Sequence, residues 1–291
     1  MEADVGAPQP TNPGRTRDPL RDVYFIAAVF YVVAIVTGVV GDGIDGHAYW
    51  ALQWPHPYPT TYGVLSDGFN YSPVAAQILL PLLVLPWPVF HALLTTAGLA
   101  SLYYLAGRWS LLLLLFPPVA VELWAANINL VLAVAIVAAF RYPGMWALPL
   151  MTKVASGIGV FWFALRREWR SFAIAIGVTT VLVAVSYTLE PEAWAEWVAY
   201  LRANVGMTPM PAAIPVPLLW RLPAAAAVLI VAALTNRRWL VPITCVLATP
   251  VVLPATLTLL LASWRLSDHR DLSAKFRRAT ETLTARRPWL E

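Results

Sequence analysis

Residues 41–73 read GDGIDGHAYWALQWPHPYPTTYGVLSDGFNYSP. An apolar run, residues 23–41, leads into this stretch, and another begins at Val74. The stretch holds three acids (Asp42, Asp45, Asp67) and two of the four histidines (His47, His56), but no Lys or Arg. About 20 apolar residues are needed for a helix to cross a hydrocarbon core of about 30 Å. A polar, aromatic island between two such runs therefore reads as a loop joining membrane spans, and as the first place to look for chemistry.

The whole composition agrees. The chain of 291 residues is 59% apolar and only 12% charged, where a soluble domain carries about 25% charged residues. With a mean hydropathy of +0.64, this predicts an all-α, polytopic membrane protein. Pro (25) and Trp (14) are abundant. Membrane helices tolerate Pro where neighbours satisfy the freed carbonyl, and Trp collects at the lipid–water boundary. The single cysteine, Cys245, excludes an internal disulfide and a thiolate metal cluster.

Residues 1–22 are polar and rich in Pro, Gly and Arg, and are expected to be a disordered cytoplasmic terminus. Residues 23–41 are longer than a signal-peptide core and lack a small-x-small cleavage site, so they read as an uncleaved first span. Further apolar runs lie at 74–88, 89–106, 110–124, 128–140, 145–165, 172–189, 215–235 and 240–263. The last holds Pro242, Pro250 and Pro254 and reads as a hairpin of two short helices, giving nine or ten transmembrane helices within a membrane domain spanning 23–263. The runs at 74–88, 110–124 and 128–140 are thin for full spans and are candidates for broken helices lining a cavity. Residues 264–291 form a basic tail.

With a cytoplasmic N-terminus, fifteen basic residues fall inside and three (Arg108, Arg141, Arg202) outside, while Lys153 and Arg221 lie within spans. This follows the positive-inside rule. It places both termini in the cytoplasm, and the loop at about 42–73 and a second stretch at 190–214 on the outer face. In the second stretch Trp194, Trp197 and Leu201 recur at helical spacing, as in an interfacial helix.

Several residues carry candidate chemistry. Asp45 opens Asp-Gly-His-Ala-Tyr and reads as a general base for a hydroxyl or as a metal ligand. Asp42 in Gly-Asp-Gly and Asp67 in Ser-Asp-Gly read first as turn residues, with Asp42 kept as a substrate-contact candidate. His47 and His56, with Asp45, have the residue types of a metal site but no firm motif spacing, so metal dependence stays open. Lys153 sits about 12 Å inside its run by helix rise. A lysine at that depth faces a cavity or a partner, and it reads as a cation for the phosphate of a lipid substrate. Glu122 either pairs with a basic group or marks a boundary. Asn127 and Asn129 either bind substrate or cap and stitch helices.

Taken together, a cytoplasmic start, one span, an acid-bearing outer loop, six further spans and a second outer stretch resemble the GT-C class of integral-membrane glycosyltransferases. Local motifs over roughly 23–205 resemble glycosyltransferase family 87 in particular. An Asp followed four residues later by Tyr in the first loop is matched by Asp45 and Tyr49. The aromatic-Tyr-Pro-Pro lead-in to span two is similar to Phe69-Asn70-Tyr71-Ser72-Pro73, and the Leu-Pro before span three to Leu85-Pro86. A Gly-Gln-x-Asn element is similar to Ala126-Asn127-Ile128-Asn129, a Lys-Pro element to Lys153-Val154, and Arg-Arg-x-Trp is matched by Arg166-Arg167-Glu168-Trp169.

The resemblance implies a GT-C-like bundle that transfers a hexose, typically mannose, from a polyprenyl-phosphate donor to a cell-envelope glycan or glycolipid, as in actinobacteria. It implies inversion with Asp45 as base. Lys153 and Arg202 would sit at the donor phosphate, and Asp42, His47, Tyr49, Tyr71, Asn127 and Asn129 among the substrate contacts. Partners are then the lipid-linked donor, a lipid or glycan acceptor and membrane lipids. No nucleic acid is expected, and there is no glycine-rich phosphate loop. The competing readings are a transporter or flippase, which places ionisable groups near the bilayer midplane, and a non-catalytic scaffold. The enzyme reading expects Asp45 and Lys153 to converge on one cavity.

Overall fold

The computed structural model describes residues 18–40, 43–58, 68–204 and 213–267, and among them every regular element is helical. Asp42 and Asp67, residues 1–17, and the tail beyond residue 267 lie outside the described residues.

Helix α1 (Pro19–Val36) starts four residues before the apolar run that predicted it. The reason is local: the Asp18 carboxylate accepts the Leu20 N–H at 3.2 Å, and Pro19 occupies the first turn, where its missing donor costs nothing. A short helix, α2 (Ile44–Trp50), lies inside the first loop. Helix α3 (Pro73–Leu79) runs into a 3-10 turn, Leu80–Leu82, and stops short of the expected end at residue 88.

Helix α4 (Trp87–Ala106) continues through the 3-10 turn Gly107–Trp109 into α5 (Ser110–Leu113), so that Trp87–Leu113 is one 27-residue apolar run. This absorbs the start of the run at 110–124. The remainder begins afresh as α6 (Pro117–Trp124), because Phe116, preceding a proline, is held extended. Helix α6 and α7 (Asn129–Ala139) meet at 108° across a short break, forming one broken span or a re-entrant hairpin rather than two crossings.

The run at 145–165, expected as one helix, is also broken. It comprises α8 (Ala147–Thr152), a 3-10 segment Val154–Val160 and α9 (Phe161–Leu165). Lys153 is the junction residue, with φ −119° and ψ 76°. The 3-10 segment folds closely onto α8; a Cβ on Gly157 would overlap the Leu150 side chain.

Helix α10 (Trp169–Leu189) is a full-length apolar helix, followed by α11 (Pro191–Asn204) and α12 (Leu218–Leu234). The last run holds α13 (Val241–Ala248) and, after a break, the 3-10 segment Pro254–Leu260 leading into α14 (Leu261–Leu266), two short helical arms packed on each other. Among the described residues three helices are long and apolar enough to cross a membrane, and a fourth if the α6–α7 pair counts as one span. The protein is thus a polytopic helical membrane protein in which several of the predicted spans are shorter, interrupted helices.

Two clusters hold the bundle together. The larger is built on Trp146, Trp162, Phe163, Leu130, Ile136 and Leu259. The smaller lies under the first loop and is aromatic: Tyr49, Tyr58, Phe69, Tyr71 and Phe90, with Leu52 and two alanines of α3. Arg221, within α12, is buried but fully answered. Its guanidinium donates to the carbonyls of Val216, Leu247, Thr249 and Pro250 at 2.5–3.1 Å. Three of these are at or just past the C-terminus of α13, where helical carbonyls lose their partners.

Candidate active site

Helix α2 carries Asp45, and its position is fixed by backbone. Gly43 enters the helix in the left-handed region, φ +54°. The N–H groups of Asp45 and Gly46 both donate to the carbonyl of Ala125 at 3.0 Å. Ala125 belongs to the turn between α6 and α7, where Ala126 itself has φ +51°. The first loop is thereby docked onto the bend of the broken span.

That bend presents Asn127 and Asn129, and a continuous polar chain runs through them. The Asn127 Nδ2 donates to Asp45 Oδ2 at 2.5 Å. Lys153 Nζ donates to Asn129 Oδ1 at 2.5 Å and lies 3.5 Å from Asn127 Oδ1. Asn129 Nδ2 donates in turn to Glu122 Oε2 at 2.8 Å, and Glu122 Oε1 accepts the Leu130 N–H at 3.1 Å. The order is carboxylate, amide, ammonium, amide, carboxylate, drawn from the first loop, the α6–α7 bend and the α8 junction. Burial raises the Asp45 carboxyl above its ordinary value, while the Asn127 hydrogen bond and the Lys153 charge oppose that shift. A carboxylate whose hold on a proton is strengthened is a better general base than an exposed one.

Tyr49, one turn after Asp45, meets Tyr71 hydroxyl to hydroxyl at 2.7 Å. Both rings are buried, and burial raises both hydroxyls, so they stay protonated. The Tyr71 carbonyl accepts from the Tyr58 hydroxyl at 2.9 Å, and the Ser72 hydroxyl donates to the Met151 carbonyl at 2.6 Å. Ser72 thus ties the end of the first loop to the helix that ends at Lys153.

Beside this cluster lies an apolar cavity of about 380 Å³ between α3, α7, α8 and α10. Tyr49 and Tyr71 stand in its wall, as do Ile128, between the two asparagines, and Thr152, next to Lys153. The lining also includes Ile78, Val178 and Leu182, all exposed on the apolar surface.

The remaining predicted residues fall elsewhere. The His47 ring packs against Trp50 and Trp87. His56 Nδ1 is 2.6 Å from Glu196 of α11. Arg202 is exposed near the end of α11, and Asp42 is outside the described residues. Among the described residues no group of three or more His, Cys, Asp or Glu is arranged to hold a metal ion, which separates the Asp45, His47 and His56 triplet that sequence had left open as ligands. Sequence reasoning missed Ser72 and Tyr58, for which no local signal exists because their partners are distant in the chain. It left Glu122 undecided between an ionic partner and a boundary residue; the structure gives it two amide partners.

The family model of glycosyltransferase family 87 matches residues 69–284. This covers Tyr71, Glu122, Asn127, Asn129 and Lys153, while Asp45 and Tyr49 precede the matched segment. No curated protein and no solved structure is similar enough to the chain to be matched. The Ala126-Asn127-Ile128-Asn129 segment stands where the family resemblance expects Gly-Gln-x-Asn, and the left-handed backbone at Ala126 is a conformation that favours glycine.

Proposed function

The chain belongs to glycosyltransferase family 87 and is a membrane glycosyltransferase, and on that premise we propose that it transfers a hexose, mannose first, from a polyprenyl-phosphate donor to a cell-envelope glycan or glycolipid. The observation that carries this reading is the contact chain from Asp45 through Asn127 to Lys153, which brings a carboxylate and an ammonium together, while Ile128 and Thr152, the chain neighbours of Asn127 and Lys153, line an apolar cavity. A lipid-linked sugar needs both: an apolar channel for its chain and a cation for its phosphate.

The reaction follows from those groups. The acceptor hydroxyl oxygen bonds to the anomeric carbon as the bond from that carbon to the phosphate oxygen breaks. The electron pair leaves with the phosphate, and Lys153 offsets the charge that develops there. Asp45 takes the hydroxyl proton, attack comes from the face opposite the phosphate, and configuration inverts. Tyr49 and Tyr71 line the cavity and are the residues that would contact the sugar. Asn127 and Asn129 orient the charged pair, and Arg202, carried on α11, is a second candidate cation for the phosphate. The chemistry takes place on the outer face, and Asp42 and His47 are further candidates for substrate contact.

The test is incubation of membranes with labelled polyprenyl-phosphate mannose and candidate acceptors. General-base removal costs about 10²–10⁴-fold in rate, so Asp45→Asn is expected to lose transfer to that extent while eluting from detergent as the wild type does. Normal transfer by Asp45→Asn removes that residue from the reaction. Lys153→Met is expected to raise the apparent KM for the donor.

A further inference from the structure

Glu122 is 1% exposed and lies two contacts away from the proposed reacting groups. We infer that Glu122 is a positioning residue: through Asn129 it sets where the Lys153 ammonium sits. This rests on the reading of Lys153 as the cation at the donor phosphate.

An asparagine amide has one acceptor end and one donor end. At Asn129 the donor end is taken by Glu122 Oε2, which leaves Oδ1 directed at Lys153 Nζ. Only a group that accepts at that position can impose this orientation, and Glu122 does so in its carboxylate form, which has no donor with which to reverse it. If the amide turned over, its NH₂ would face the ammonium. The other carboxylate oxygen accepts the N–H of Leu130, in the first turn of α7, so Glu122 fixes both the helix that carries Asn129 and the direction of its side chain. Asn127 is oriented independently: its Oδ1 accepts the Ile128 N–H at 2.7 Å, which points its Nδ2 at Asp45. The two amides therefore face the charged pair with opposite ends, an acceptor toward Lys153 and a donor toward Asp45.

Capping of α7 alone would explain burial of a carboxylate here, and the two roles are separable. Glu122→Gln keeps an oxygen for the Leu130 N–H but turns the other atom into a donor, which forces the Asn129 amide over. Combining Glu122→Gln with Asn129→Asp exchanges carboxylate and amide, restoring an acceptor at Lys153 and every hydrogen bond in the chain. The chain contains one other lysine, Lys275, which serves as an internal reference.

The experiment uses the full-length protein in detergent micelles, brief acetylation with acetic anhydride at one pH, and mass spectrometry of Lys153 relative to Lys275. Glu122→Gln is expected to speed Lys153 acetylation by about tenfold, the factor that one charge-assisted hydrogen bond represents. The paired exchange, which sets a carboxylate directly on the ammonium, is expected to return it to the wild-type rate or below. In transfer assays the same pair is expected to raise and then restore the donor KM, with kcat less affected. An unchanged labelling rate in Glu122→Gln overturns the inference. So does a paired exchange that labels as fast as the single variant, or that fails to recover the wild-type elution profile where the single variant has lost it. Labelling needs no substrate, so a failure of the donor assignment, seen as absent transfer by wild type, leaves this readout intact.

Discussion

At the scale of single residues, the site depends on one close approach. Gly46 sits inside α2, where glycine is less favourable than alanine by about 1 kcal/mol. A Cβ there would lie 2.7 Å from the Cβ of Ala126. Neither carbon can rotate away, because Cβ is fixed by backbone, and Ala126 is locked in a turn whose neighbour Ala125 accepts two hydrogen bonds from α2. Gly46→Ala must therefore separate the loop helix from the α6–α7 bend and pull Asp45 off Asn127. A misplacement of about 1 Å can cost on the order of 10²-fold in rate, and we expect transfer to fall by that order with only a small drop in the melting midpoint. Ala126→Gly removes the opposing methyl and relieves a left-handed alanine, which costs about 1–2 kcal/mol. Added to Gly46→Ala, it should recover most of the activity; a double variant as poor as the single one would mean that contact does not position Asp45.

At the scale of elements, the unexpected feature is where α11 lies. Its tryptophan spacing predicts an interfacial helix, and one face of it packs on the first loop. Trp197 joins the aromatic cluster there, Tyr58 and Tyr200 have ring centroids 5.7 Å apart, and Trp194 Nε1 donates to Ser186 at 3.0 Å. The polar clasp in this contact is His56 with Glu196. Its hydrogen bond to the Glu196 carboxylate, followed by the charge of that carboxylate, raises His56 above its ordinary value, and Glu192 and Glu190 act in the same direction. A raised folded-state value means that the clasp contributes fully below about pH 6.5, the ordinary value for histidine, and is lost as pH rises through the raised one. The pair is exposed and screened, so the expected effect is local. Amide exchange in α11, corrected for its intrinsic pH dependence, should speed up as the pH rises above about 6.5. His56→Gln should abolish that pH dependence, and its persistence would assign the effect to another group.

At the scale of the whole molecule, what could be read from sequence divides along a physical line. Composition reports the medium, so the membrane class and the position of the polar first loop were legible. The order of weak motifs carried the family. Continuity of helices was not legible, because an apolar run looks the same whether it is one helix or, as at 145–165, two helices and a 3-10 segment joined at Lys153. Nor was the docking of α2, which depends on a left-handed backbone at an alanine and on hydrogen bonds between residues about eighty positions apart. Those non-local bonds bring Asp45 and Lys153 into one chain of contacts. The placement of charge along the predicted spans adds a proposal of its own, that the first loop lies outside. Only in that orientation does the Asp45 cluster face a donor held in the outer leaflet. The orientation can be read with an impermeant maleimide on intact cells, using Cys245→Ala to remove the buried native thiol. His56→Cys, on the exposed side of the first loop, should label directly. Arg237→Cys, exposed after α12, should label only after permeabilisation. The reverse pattern would place the site on the cytoplasmic side and require a donor presented from the inner leaflet.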